Sequence, residues 1–156
     1  MLIFLEHQNP GYGLIIEGRM YMPIKFEWNE LFSVDNPELD RQHKGMFELA
    51  NSFEEGLDEG RIKTIITDLY RYTREHFKAE EQMMDEINYP KLKEHKLAHK
   101  KLVLKLDEVS TRPFDDDRSV FRFMTFVYDW LTHHILNNDK DYMRFVHEQG
   151  LKPGAP

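Results

Sequence analysis

Four helix-length stretches of this chain carry ionisable residues inside apolar seams, and few folds tolerate that. From Arg61 to Ile87, the residues Ile62, Ile66, Leu69, Thr73, His76, Glu80, Met83 and Ile87 recur at the three-four spacing of one helical face. His76 and Glu80 therefore stand where core side chains belong. Leu92, His95, His99, Leu102, Leu106 and Val109 make a second seam, with its two histidines one turn apart on the same side. Leu39, His43, Met46, Ala50, Phe53 and Leu57 form a third, and Val120, Phe123, Val127, Trp130 and His134 a fourth. Burying an unpaired carboxylate is costly, so such seams persist when the inward groups are hydrogen-bonded, paired or bound to a metal. A single histidine on an apolar face is ordinarily a satisfied core residue. Five on four matched seams, joined by Glu80 and Asp139, read instead as a metal site.

Composition narrows the chemistry. The 156 residues suit one domain, and 40% hydrophobic with 13% aromatic content is enough for a core. A net charge of −7 without a basic run argues against a nucleic-acid backbone or an anionic membrane as partner. There is no cysteine, which removes disulfides, thiolate ligation, iron–sulfur clusters and cysteine nucleophiles, and leaves nitrogen and oxygen to hold a metal. No apolar stretch approaches the roughly 20 residues that span a bilayer. The run from Leu2 to Leu5 is too short for a signal-peptide core, so no membrane insertion and a cytoplasmic location are expected.

Residues 1–21 lack sustained periodicity and include Ile16-Glu17-Gly18-Arg19, which matches a processing-protease recognition tag. They read as an added leader or a disordered extension, with Met22 as the natural start. Residues 22–150 form the expected domain, and 151–156 a flexible tail. Phe26 to Val34 reads as an extended arm whose Phe26, Trp28, Leu31, Phe32 and Val34 cover a bundle end. Asn36 followed by Pro37 supplies a cap and a first helical position. The first helix is expected to reach about Leu57, with Asp58-Glu59-Gly60 turning into the second. Tyr89-Pro90 ends the second and opens the third. Ser110 to Asp117, with Pro113 and three consecutive aspartates, is a loop that also gives the fourth helix a negative start. Connections this short predict an all-α, up-down-up-down antiparallel four-helix bundle with an extended N-terminal arm.

The ionisable residues have metal-ligand spacing. H-x-x-x-E at His76 and Glu80, and H-x-x-x-H at His95 and His99, each put both groups on one face. His134 and Asp139 are five apart, an advance of about 500° in an α-helix, so they do not share a face unless the helix ends or widens. Asn137 and Asn138, poor helix formers, mark the place for that. If each of the two carboxylates bridges two metals, they, the five imidazoles and a solvent-derived bridge leave two octahedral ions a single vacant position for a small ligand. Imidazole and carboxylate suit iron, zinc and manganese alike.

Asp40-Arg41-Gln42-His43, His76-Phe77-x-x-Glu80, Tyr89-Pro90 before His95-x-x-x-His99, and Trp130-Leu131-Thr132-His133-His134-Ile135-x-x-x-Asp139-x-x-Tyr142 closely resemble the bacterial hemerythrins. The resemblance covers about 26–150. It implies two iron ions (Fe2+/Fe3+) with an oxo or hydroxo bridge, and dioxygen as the ligand. By that likeness His95, His99 and His134 hold one iron, His43 and His76 hold the other, and Glu80 and Asp139 bridge them. Met46, Phe77, Trp130 and Leu131 match the family's pocket positions, though ordinary core packing also accounts for each. Tyr142 aligns with a family tyrosine near the site and reads equally as a packed aromatic. His133, about 100° round from His134, is expected to be exposed or behind a ligand. His7 and His147 are not expected to be ligands.

The resemblance implies reversible dioxygen binding for storage, transport or delivery, without enzymatic turnover. Histidines outnumber carboxylates here, and that weakly favours binding over the oxidative chemistry of carboxylate-rich di-iron bundles. The alternatives are oxygen, redox or iron sensing, and a di-iron enzyme acting on peroxide or nitric oxide. Expected partners are dioxygen and an oxygen-consuming enzyme or electron donor, with no nucleic acid; the oligomeric state is left open.

Overall fold

A computed structural model of the chain describes residues 14–16, 19–21, 26–53 and 58–151. Its elements in order are strands β1 (Leu14–Ile16) and β2 (Arg19–Tyr21), a 3-10 turn (Glu30–Phe32), and helices α1 (Pro37–Asn51), α2 (Glu59–Glu86), α3 (Leu92–Ser110) and α4 (Asp117–His134). A π-helical turn (Ile135–Asp139) then leads into α5 (Lys140–Glu148). The two strands pair antiparallel, with Leu14 opposite Tyr21 and Ile16 opposite Arg19. The rest of the expected leader and the expected natural start at Met22 lie outside the described residues, as does the tail beyond Leu151.

Helices consecutive in sequence pack side by side, and α4 closes the ring against α1, as the expected four-helix bundle requires. Local chemistry sets the ends. Asn36 caps α1 by accepting from the Glu38 and Leu39 amides, with Pro37 in the first turn. Asp58 caps α2 through the Arg61 amide. Asn88 stops that helix in the left-handed region (φ 52), where asparagine is tolerated, while the Tyr89 amide reaches back to the Met84 carbonyl. Asp116 and Ser119 form a reciprocal capping box at the start of α4.

Three local expectations need correction. Helix α1 ends at Asn51 rather than near Leu57, because Ser52 folds its hydroxyl back onto the Leu49 carbonyl and Phe53 turns into the core against Phe123; Leu57 lies outside the described residues. Met84, fully buried, takes the deep position of the last turn of α2, with Met83 beside it and partly buried. Leu31 is 70% exposed. The 3-10 turn, capped by Asn29, directs Phe32 inward and leaves Leu31 in solvent.

The arm also runs along the bundle instead of covering its end. Asn51, at the end of α1, grips both the amide and the carbonyl of Phe26, and Asp40, in the first turn of α1, receives the Ser33 hydroxyl and the Val34 amide. Between those clamps Phe26 stacks on Tyr128 of α4, and Trp28 packs on His43 and Phe47 of α1. The arm thus lies against α1 and α4. Among the described residues no helix is long and apolar enough to cross a membrane.

Candidate metal centre

Each long helix contributes inward polar groups to one level of the bundle: His43 from α1, His76 and Glu80 from α2, His95 and His99 from α3, and His134 from α4. Asp139 joins them because the helix widens where the two asparagines stand. The Lys140 amide bonds the Ile135 carbonyl five residues back, and this π turn absorbs the extra residue that would otherwise carry Asp139 off the His134 face. None of the seven is more than 4% exposed.

Their donor atoms converge. Nε2 of His99 lies 3.0 Å from Nε2 of His134, and Glu80 Oε2 lies 3.2 Å from His99 Nε2 and 3.5 Å from the Nε2 atoms of both His76 and His95. Asp139 straddles the cluster: Oδ1 is 3.1 Å from His134 Nε2 and 3.5 Å from His95 Nε2, while Oδ2 is 3.4 Å from His43 Nε2. Neighbouring donors around an ion with bonds of about 2.1 Å lie about 3 Å apart. The atoms form two groups, Glu80 with His95, His99 and His134, and Glu80 with His43, His76 and Asp139. Within each group all donors fall within 4.8 Å of one another. Glu80 is common to both.

Hydrogen bonding does not account for this arrangement. Both nitrogens of His43, Nε2 of His76 and of His95, and all four oxygens of Glu80 and Asp139 are buried without a hydrogen-bond partner among the described residues. An orphaned buried polar atom costs about 1–3 kcal/mol. Eight in one cluster would match or exceed the roughly 5–15 kcal/mol that holds a domain together. Cations placed among these atoms remove that cost, so the residues fit a metal pair.

Charge in the metal-free site is distributed unevenly. Burial, reinforced by His43, pushes the His76 imidazole well below its usual range, and burial also lowers His95 and His99. Burial, followed by the neighbouring Asp139, raises the Glu80 carboxyl well above the ordinary carboxylate range. Burial alone would raise Asp139 too, but His134 and His43 beside it hold it well below. Without a cation, burial favours the neutral form of Glu80 while the neighbouring imidazoles favour the ionised form of Asp139.

Around this cluster, Phe77 stacks on His99 with ring centroids 3.6 Å apart and also touches His76 and His134. Trp130 packs on Phe77 at 6.2 Å. Met46 and Leu131 are buried in the same core. Tyr142 is buried edge-on to Tyr89, and burial with the nearby Glu80 pushes its phenol up to about 12. His133 is exposed, with Asn137 donating to its carbonyl, and His147 is exposed at the end of α5; His7 lies outside the described residues.

Sequence periodicity missed the residues behind the histidines. Gln42 Oε1 is 2.9 Å from His76 Nδ1, and Glu81 Oε1 is 2.8 Å from His99 Nδ1. Trp28 covers the His43 ring. Their signal in the sequence is adjacency to ligands, since Gln42 precedes His43 within the Asp40-Arg41-Gln42-His43 motif and Glu81 follows Glu80.

The chain matches the family described as Hemerythrin HHE cation binding domain over residues 35–146, a span that contains all seven converging residues. It belongs to the hemerythrin family. Among its relatives, a bacteriohemerythrin of Clostridium acetobutylicum is 31% identical over 127 residues, covering 76% of this chain and 98% of the relative. A hemerythrin-like protein of Naegleria gruberi is 32% identical over 78% of this chain and 93% of its own length. A myohemerythrin of Riftia pachyptila is 31% identical over 78% and 93%. The hemerythrin match begins at Asp35 and so excludes the arm, which means the Trp28 cover over His43 is built from residues ahead of the matched domain.

Proposed function

We propose that this chain binds dioxygen reversibly at a di-iron centre, with His95, His99 and His134 holding one iron, His43 and His76 the other, and Glu80 and Asp139 shared between them. The observation that carries this reading is Asp139, whose two oxygens face different histidine groups and have no other hydrogen-bonding use among the described residues. Membership of the hemerythrin family supports iron over the other metals that imidazole and carboxylate suit. A bound iron pair would supply the electrons that dioxygen binding requires.

The chain's own residues do the rest. Burial keeps His76, His95 and His99 unprotonated, so that their lone pairs are available as donors. Phe77 stacks on His99, Trp130 packs on Phe77, and Met46 and Leu131 lie buried in the same core, so this apolar packing would limit the water that assists oxidative loss of the ligand.

The test is a visible spectrum of the iron-loaded, anaerobically reduced protein before dioxygen, after it, and after its removal. A band that appears with dioxygen and disappears without it supports the reading. Irreversible conversion to an oxidised spectrum would favour the redox or sensing alternatives, and failure to take up two iron ions per chain would end the di-iron assignment.

A further inference from the structure

Two of the histidines are held from behind by different chemistry. Gln42 presents its amide oxygen to His76 Nδ1 at 2.9 Å, and its amide nitrogen donates to Glu38 Oε1 at 2.7 Å. That support is neutral. His99 Nδ1 instead meets the Glu81 carboxylate at 2.8 Å, and the other Glu81 oxygen lies 3.9 Å from Lys96 Nζ. A carboxylate only accepts, so His99 carries its proton on Nδ1 and turns the Nε2 lone pair to the cluster. The plane of the ring is set independently, by Phe77 stacked on it at an interplanar angle of 8°. Removing the charge on Glu81 would therefore leave the ring in place.

We propose that Glu81 is a positioning residue that fixes the His99 tautomer and, through its negative charge, makes His99 a stronger donor than His76. The ion of the three-histidine group then favours the higher charge state, and Lys96 tempers the effect. Glu81 is 28% exposed and lines an open cleft together with Arg74, Lys78 and Lys96. Through Glu81, surface charge reaches His99. Hydrogen-bonded partners behind metal-binding histidines orient the ring and raise its basicity, and here one histidine group has an ionised partner while His76 of the other has a neutral one.

This inference rests on the di-metal reading, so the experiment separates the two. Metal-free full chain is titrated with Zn2+ against a competing chelator, and the reduction potential is measured on iron-loaded protein. Wild type should take two zinc ions. Glu81→Gln should weaken one of them about 10–100-fold, leave the other unchanged, and move the potential upward. Lys96→Gln, at an exposed position, should move the potential downward without weakening zinc. Opposite shifts are what a merely structural role would not produce. Glu81→Gln with wild-type zinc affinity and an unmoved potential would overturn the proposal, as would both variants shifting the potential the same way. Wild type holding fewer than two ions would overturn the di-metal reading itself.

Discussion

His99 of α3 and His134 of α4 bring their Nε2 atoms to 3.0 Å across the bundle. His99 donates from Nδ1 to Glu81, so its Nε2 carries a lone pair, and without a cation only a proton on His134 can lie between the two rings. Asp139 Oδ1, 3.1 Å from the same His134 nitrogen, competes for that proton. Acceptors outnumber protons at the centre of this bundle, and a cation resolves the deficit.

Metal should therefore stabilise the fold strongly. Free metal at a thousand times its dissociation constant adds about 4 kcal/mol, which for a domain of this size raises Tm by on the order of 10 °C. Thermal melts with Fe2+ or Zn2+, and again after chelation, measure it; coincident melts would contradict the site.

Glu80→Gln separates stability from binding. Burial already favours the neutral form of Glu80 in the metal-free chain, so an isosteric neutral amide should change metal-free stability by less than about 1 kcal/mol. Because Glu80 serves both donor groups, metal content should fall from two ions to one or none. Full metal content in this variant, measured by elemental analysis, would refute its shared role.

The four helices and six of the seven converging residues were readable from periodicity, because a buried helical face repeats every turn and a histidine in that register has nowhere else to point. Asp139 was readable only as an exception. Its offset of five from His134 makes sense once Asn137 and Asn138 are allowed to widen the helix, and the π turn is where they stand. The misses have a different origin. Gln42 and Glu81 sit at positions that periodicity assigns to a polar face, and their importance depends on how far a neighbouring helix brings a histidine ring. The end of α1 was decided by a serine hydroxyl and by Phe53 turning inward, neither of which interrupts the apolar pattern.

Acid should destabilise the metal-free protein. The folded values of His76, His95 and His99 are depressed below 6.5, so below about that pH the unfolded chain takes up protons the folded chain refuses, and stability falls with pH. Glu80 has the opposite sign: its value is raised above 4.5, and its contribution is present at low pH and lost as pH rises through the folded value. Asp139, depressed below 3.8, holds its contribution until the pH falls beneath that. Three histidines outweigh one carboxyl between pH 4.5 and 6.5, each by up to about 1.4 kcal/mol per pH unit. The urea midpoint of chelated protein should accordingly be lower at pH 5.5 than at 7.5, and an equal or higher value would contradict the sign.

Releasing the arm should uncover His43. Asn51 accepts from the Phe26 amide at 2.7 Å and donates to the Phe26 carbonyl at 3.0 Å, so Asn51→Ala removes both bonds at a cost of about 1–3 kcal/mol. Phe26 then loses its register on Tyr128, and Trp28, two residues on, loses its seat over His43. Trp130 is buried at 7% exposure, so any rise in acrylamide quenching of tryptophan fluorescence reports on Trp28. Quenching should increase in Asn51→Ala, and a chelator should strip metal faster than from wild type while the Asp40 clamp keeps the start of α1 intact. Increased quenching with unchanged stripping would mean that the arm covers the histidine without guarding the ion; unchanged quenching would mean that Asn51 does not hold the arm.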